Sequence, residues 1–222
     1  MEAIILAGGF GTRLKNVVSN LPKPMAPING KPFLTYILDQ LNNFGFKKVV
    51  LAVGYMSSAI HDYYGAQFKN MKIEYSFENE PLGTGGCVKK AIGMTSDQFV
   101  FVINGDTYFN IDFSKISIPN NILIVCKYME DTYRYGRIKT KKGIVKQFCE
   151  KGENEAGYIN GGIYYINRNL FDRFLLPEKF SIENDFFIKY IDSLFIETYI
   201  SNDYFVDIGV PEDYVRAKND LR

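Results

Sequence analysis

Short apolar runs alternate with stretches of helical spacing through the first half of the chain. Ala3–Ala7 reads as a buried strand, and Val49–Val53, Lys72–Phe77 and Phe99–Ile103 read as further strands. Phe33, Leu34, Ile37, Leu38, Leu41 and Phe44 recur at intervals of three and four and predict a helix, with Gly45 as its stop. Helical patterns also cover Ser57–Tyr64, closed by Gly65, and the stretch from about Gly85 to Ile92. Four strands alternate with three helices, which predicts a parallel sheet with helices on both faces. The second half is strand-rich. Ile122–Cys126, Gly136–Lys139, Ile144–Phe148 and Tyr158–Ile166 are closely spaced, and a hairpin is expected across Thr140–Gly143. Helical patterns near Asn169–Leu175 and Glu183–Tyr190 follow, then strands near Ile196–Ile200 and Tyr204–Val206 and a last helix near Pro211–Leu221. No repeat or linker interrupts the pattern. The expectation is a single domain over 1–222, with a nucleotide-binding part to about residue 110 and a more irregular part after it.

Composition narrows the function. The 222 residues carry 26 basic and 25 acidic side chains, so the basic excess of a general nucleic-acid binder is missing. No apolar run reaches membrane-spanning length and no signal peptide is visible, so no membrane partner is expected. Cys87, Cys126 and Cys149 match neither a disulfide framework nor a metal spacing, which fits a reduced, cytoplasmic setting. A single histidine, His61, argues against histidine-based triads and multi-histidine metal sites.

The first strand ends in Gly8-Gly9-Phe10-Gly11, followed by Thr12 and Arg13. A parallel strand ends at the edge of the sheet where ligands bind, and glycines there leave backbone N–H groups open to phosphate oxygens. Arg13 adds a fork that matches phosphate. Lys23 stands between Pro22 and Pro24, which stiffen the segment and aim the ammonium. The loop lacks the lysine of a P-loop and the third glycine of a dinucleotide fingerprint, which removes a nicotinamide dehydrogenase. The fourth strand ends in Asn104-Gly105-Asp106; alone this would be a turn. A second aspartate, Asp207, again closes an apolar run. Together with the glycine loop, the two carboxylates point to a Mg²⁺–nucleotide site. Gly83, Gly85 and Gly86 free another backbone stretch beside Glu78 and Glu80. In the second half, Gly136, Glu150, Lys151 and Asn160 could read hydroxyls and a phosphate, although each alone would pass for a turn or a solvated charge.

The ordered set LAGGFGTRL, KPM, LGTGG, NGDT, EK, NGGIY and VDIGVPEDY resembles the sugar-1-phosphate nucleotidyltransferases along nearly the whole chain. EPLGTGG looks like the guanylyl-transferring members that act on mannose- or heptose-type sugars. The resemblance implies a Rossmann-like α/β fold: a mostly parallel central sheet flanked by helices, with a strand-rich sugar-binding half. It implies GTP and a sugar 1-phosphate as partners and Mg²⁺ as cofactor, and leaves room for a homo-oligomer. Leu6, Gly8, Gly9, Gly11 and Thr12 would cradle the nucleotide with Gly105 nearby, and Gly83 would lie near the base. Arg13 and Lys23 would bind the triphosphate, Asp106 and Asp207 would ligate Mg²⁺, and Gly136, Glu150, Lys151 and Asn160 would hold the sugar phosphate. A carboxylate can accept both guanine donors, N1–H and the N2 amino group. Glu80 is the expected reader, being nearer the loop than Glu78. A non-catalytic nucleotide-sugar sensor on the same fold is the rival, and it would be expected to lack Arg13, Lys23 or one of the aspartates; all are present.

Overall fold

The structure, a computed structural model, describes residues 1–9, 21–152 and 155–221. In chain order its elements begin with β1 (Glu2–Leu6), β2 (Pro27–Ile28), β3 (Lys31–Pro32), α1 (Phe33–Asn43) and β4 (Lys48–Val53). Then come α2 (Ser57–Tyr64), β5 (Gln67–Phe68), β6 (Met71–Phe77), α3 (Gly83–Ile92), β7 (Phe99–Asn104) and β8 (Thr107–Phe109). The second half contributes β9 (Ile122–Met129), β10 (Ile138–Lys141), β11 (Ile144–Phe148), β12 (Gly157–Asn167), β13 (Ile196–Ser201), β14 (Phe205–Asp207) and α4 (Pro211–Asp220).

Ten strands form one sheet in the order β10-β11-β13-β9-β12-β7-β1-β4-β6-β5. The parallel block expected from the first half is β7-β1-β4-β6. The second half joins the same sheet through β12, which runs antiparallel to both β7 and β9. Strand β1 shows why its sequence is an unbroken apolar run. Ala3 and Ile5 enter the core on one face, with α1, while Ile4 enters the core on the other, with α3. Both faces are covered, so Glu2–Ile5 are buried and only Leu6, at the end of the strand, is partly open. On the α1 side, Phe101 stacks on Tyr165 at 4.0 Å and takes the edge of Phe113 at 5.0 Å.

The hairpin between β10 and β11 turns on two residues, Lys142 and Gly143, with φ of 53° and 74°. Two positive φ values match the twist that a two-residue hairpin requires. The two helical patterns of the second half become shorter structures: a 3-10 turn over Leu170–Arg173 and wide π-type turns over Ile182–Ile188. Their apolar spacing is met by burial of Leu170, Phe171, Phe186 and Phe187 against the α3 face, with no longer helix needed. Two small sheets, β2-β3 and β8-β14, add strands of two or three residues; of these only β14 was expected, near Tyr204–Val206, and the others are too short to leave a pattern. No helix among the described residues is long and apolar enough to cross a membrane.

Candidate active site

The chain runs from β1 outward through β4 to β6, then returns across β1 to β7. Strands β1 and β7 therefore flank the point where the winding reverses, and a crevice opens beyond their carboxyl ends. The two ends are stitched together there. Gly105 N–H donates to the Leu6 carbonyl at 3.0 Å, and a Cβ on Gly105 would sit 2.6 Å from that oxygen. Asp106 follows directly. Its side chain accepts from Lys23 Nζ at 3.0 Å, and its carbonyl accepts from Ile208 N–H at 3.0 Å. The 3-10 turn Lys23–Met25 fixes the lysine: Met25 N–H reaches Pro22 O and Ala26 N–H reaches Lys23 O.

Pairing of β8 with β14 sets Thr107 opposite Asp207 and so brings the second aspartate beside the first. Asp207 Oδ1 accepts from Gly209 N–H at 2.8 Å. Burial and then the Asp106 charge push the Asp207 carboxyl up to about 6, against the opposing pull of Lys23, the Gly209 N–H and Arg134. Two adjacent carboxylates, one of them made costlier to ionise by the other's charge, with an ammonium already drawn to Asp106, form a donor set suited to a hard divalent cation.

A cavity of about 340 Å³ opens on Asp106, lined by Leu6, Gly8, Gly9, Glu78, Gly83 and Asn104 among others, with Lys23 on its wall; Asp207 stands behind Asp106 and does not line it. Glu78 is fixed there. Its Oε2 accepts from Leu82 N–H at 3.1 Å and its Oε1 from the Cys87 thiol at 2.7 Å. Burial, and then Glu78, push the Cys87 thiol well up. A Cβ on Gly8 would come within 3.0 Å of Glu78 Oε1, so this glycine lets the carboxylate close over the end of β1. Glu80, the acid expected to read the base, does not line this cavity. It is exposed and lines a neighbouring recess of about 200 Å³ with Gly54 and Tyr55, which Glu78 also borders. Sequence distance from the loop favoured Glu80, but β6 ends at Phe77 and the turn after it carries Glu80 outward.

The glycines of LGTGG serve a different purpose from the one expected. A Cβ on Gly83 would lie 2.6 Å from Phe180 O, one on Gly85 would enter the Phe180 ring at 2.2 Å, and one on Gly86 would meet Glu178 O at 2.4 Å. Their space is taken by the segment 178–182 of the same chain. Phe180 O also caps α3 by accepting from Gly85 and Gly86 N–H. Only Gly83 also borders the cavity, together with Thr84, which the sequence did not single out; Thr84 Oγ1 accepts from Ile182 N–H at 3.0 Å.

A second cavity, of about 400 Å³, gathers Gly136 from before β10, Glu150 and Lys151 from after β11, and Asn160 from within β12. Gly136 has φ +73°, and a Cβ there would stand 2.7 Å from Cys149 O. Asn160 is held by three bonds: its Nδ2 donates to Tyr164 Oη at 2.8 Å and to Glu183 Oε1 at 2.5 Å, and its Oδ1 accepts from Gly162 N–H. Gly162, held by Asn160, packs on the Asn104 side chain and so links the walls of the two cavities. Two further groups went unnoticed in the sequence. Glu183 lines this cavity, and Asp213 of α4 clamps Arg134 at 2.6 Å and Arg216 at 3.2 Å. Of the expected set, Gly11, Thr12 and Arg13 lie outside the described residues.

The family model for nucleotidyl transferases matches residues 2–222. The chain belongs to the nucleotidyl transferase family. This nucleotidyl transferase is 46% identical to the D-glycero-alpha-D-manno-heptose 1-phosphate guanylyltransferase of Aneurinibacillus thermoaerophilus, over all of this chain and 99% of that protein. It is also 46% identical to the protein of the same name from Campylobacter jejuni, over 96% of this chain and 97% of that protein. Among solved structures, HddC from Yersinia pseudotuberculosis complexed with GMP-PN superposes with a TM-score of 0.88 at 35% identity, covering all of this chain and 99% of that one.

Proposed function

We propose that this nucleotidyl transferase moves GMP from GTP to a sugar 1-phosphate, D-glycero-α-D-manno-heptose 1-phosphate foremost, and releases pyrophosphate. The observation that carries the reading is the meeting of Lys23, Asp106 and Asp207 at the winding reversal, with Lys23 and Asp106 on the wall of the cavity there and a second polar cavity linked to it through Gly162. The names of the two 46% relatives support guanine as the base and heptose as the sugar.

The nucleophile is a phosphate oxygen of the sugar phosphate, already ionised at neutral pH, so no general base is required. The barrier is electrostatic, because two polyanions must approach in line. Asp106 and Asp207 would hold Mg²⁺, which fits their mutual repulsion; bound there, it supplies positive charge to the phosphates. Lys23 moves from Asp106 to a phosphate oxygen and keeps the charge balanced. Arg13 acts on the departing pyrophosphate. Glu78, fixed by Leu82 and Cys87, is the carboxylate in position to accept from guanine, with Glu80 at the rim. Gly136, Glu150, Lys151 and Asn160 hold the sugar phosphate. Three free thiols fit a reducing, cytoplasmic setting.

The test is pyrophosphate release with Mg²⁺, each of the four nucleoside triphosphates, and heptose, mannose and glucose 1-phosphates. GTP with the heptose phosphate should give the highest kcat/KM. A preference for mannose 1-phosphate would move the assignment to that sugar. A preference for UTP or dTTP would overturn the guanylyl reading. Tight nucleotide binding without any release would favour the sensor.

A further inference from the structure

Glu183 stands in the second cavity with half of its carboxylate committed and half open. Its Oε1 accepts from the buried Tyr164 hydroxyl at 3.0 Å and from Asn160 Nδ2 at 2.5 Å. Among the described residues, Oε2 has no hydrogen-bond partner, and neither oxygen is paired with a cation. Tyr164 is 1% exposed and its ring packs on Phe187 at 5.5 Å. The phenol therefore cannot swing away, and it fixes the direction of the carboxylate. Ser181 caps the π-type turns by accepting from Asn184 N–H at 3.2 Å, and Ile182 N–H is tied to Thr84, so the backbone on either side of Glu183 is also fixed. The cavity's cationic side chains, Lys151 and Arg137, sit on the β10–β11 side, Arg137 paired with Glu155.

We propose that Glu183 selects the sugar. Its open Oε2 accepts hydroxyl hydrogen bonds from a neutral sugar 1-phosphate, and its charge turns away a sugar that carries a second anionic group such as a carboxylate or another phosphate. The proposal rests on the assignment of this cavity to the sugar. A preorganised, partly desolvated acceptor rewards a hydroxyl donor and penalises a like charge at the same spot. One side chain thus supplies both an attraction and a repulsion.

The test compares kcat/KM for mannose 1-phosphate and mannuronic acid 1-phosphate, with GTP saturating, in wild type, Glu183→Gln and Glu183→Asp. Binding of GTP, followed by calorimetry, controls for folding. Wild type should favour the neutral sugar by at least about tenfold, from the like-charge penalty. Glu183→Gln keeps an acceptor for Tyr164 and Asn160 but removes the charge. It should raise KM for the neutral sugar about tenfold, as expected for a lost bond to a charged group, with little change in kcat. It should also shrink the neutral-to-acid ratio toward one. Glu183→Asp keeps the charge and should keep that ratio. Equal use of both sugars by wild type would overturn the proposal without recourse to any variant. So would an unchanged ratio in a Gln variant that binds GTP normally. Failure of wild type to turn over any sugar 1-phosphate would instead remove the functional reading on which the proposal stands.

Discussion

Replacing Gly105 by alanine should damage both stability and catalysis through one contact. The new Cβ would lie 2.6 Å from the Leu6 carbonyl oxygen, where ordinary contact begins at 3.4 Å, so β1 and the turn after β7 must separate by about 0.8 Å. The obstacle is backbone in the centre of a parallel sheet, so no side chain can rotate out of the way. Opening the contact stretches the 3.0 Å Gly105 N–H bond to Leu6 past useful length. The lost bond costs about 0.5–1.5 kcal/mol and the crowding about 1–3 kcal/mol. For a domain of this size each kcal/mol lowers Tm by about 2–4 °C, so a fall of at least about 3 °C should appear by calorimetry. The shift is passed on to Asp106, the next residue, whose carboxylate faces Lys23 and Asp207. Misplacement by this much should lower kcat by about a hundredfold. A Gly105→Ala protein that keeps the wild-type Tm and kcat would refute the argument that this glycine is there to bring the two strand ends together.

Asp207→Asn should separate stability from activity. The carboxyl is raised in the folded state above its usual 3.8, so ionisation weakens the fold as pH rises through about 6. In EDTA the variant should therefore melt higher than wild type at pH 8 and equally at pH 3, while losing turnover by orders of magnitude; a lower Tm at pH 8 would contradict the assigned cause. Asp106→Asn should relieve the same repulsion and make Asp207 titrate lower, which NMR of the carboxyl carbon can follow. Glu2→Gln tests a carboxylate of opposite sign: burial raises its pKa, but the Asp97 and Ser96 N–H groups, the Ser96 hydroxyl and Lys48 outweigh it and lower it overall. Its stabilisation is present above the usual 4.5 and fades as pH falls through the folded value, so the variant should lose about 1–3 kcal/mol at pH 7 and much less at pH 3, measured by urea unfolding.

The local pattern of this chain was legible because its causes are local. A five-residue apolar run such as Ala3–Ala7, stopped by glycines, is too short for a buried helix and fits a strand covered on both faces, and residues 33–44 carry one helical stripe. Strand-end glycines and acids likewise announce a ligand site, since the ends of parallel strands are where backbone groups go unpaired. Partners in space were a different matter. That Asp106 and Asp207 meet depends on β8 pairing with β14 across about half of the chain, which no spacing reveals. Glu183 looked like one polar position in a helical pattern; only the packing of β12 against the 182–188 segment turned it into a cavity wall. LGTGG read as room for a ligand, yet the same room is filled by Phe180, because a missing Cβ leaves space without saying what will use it. Sequence by itself determined which residues are buried, which are bent and which carry charge at the strand ends. Tertiary structure alone decided which of them face one another, because long-range contacts depend on how the strands are ordered in the sheet and not on their separation along the chain.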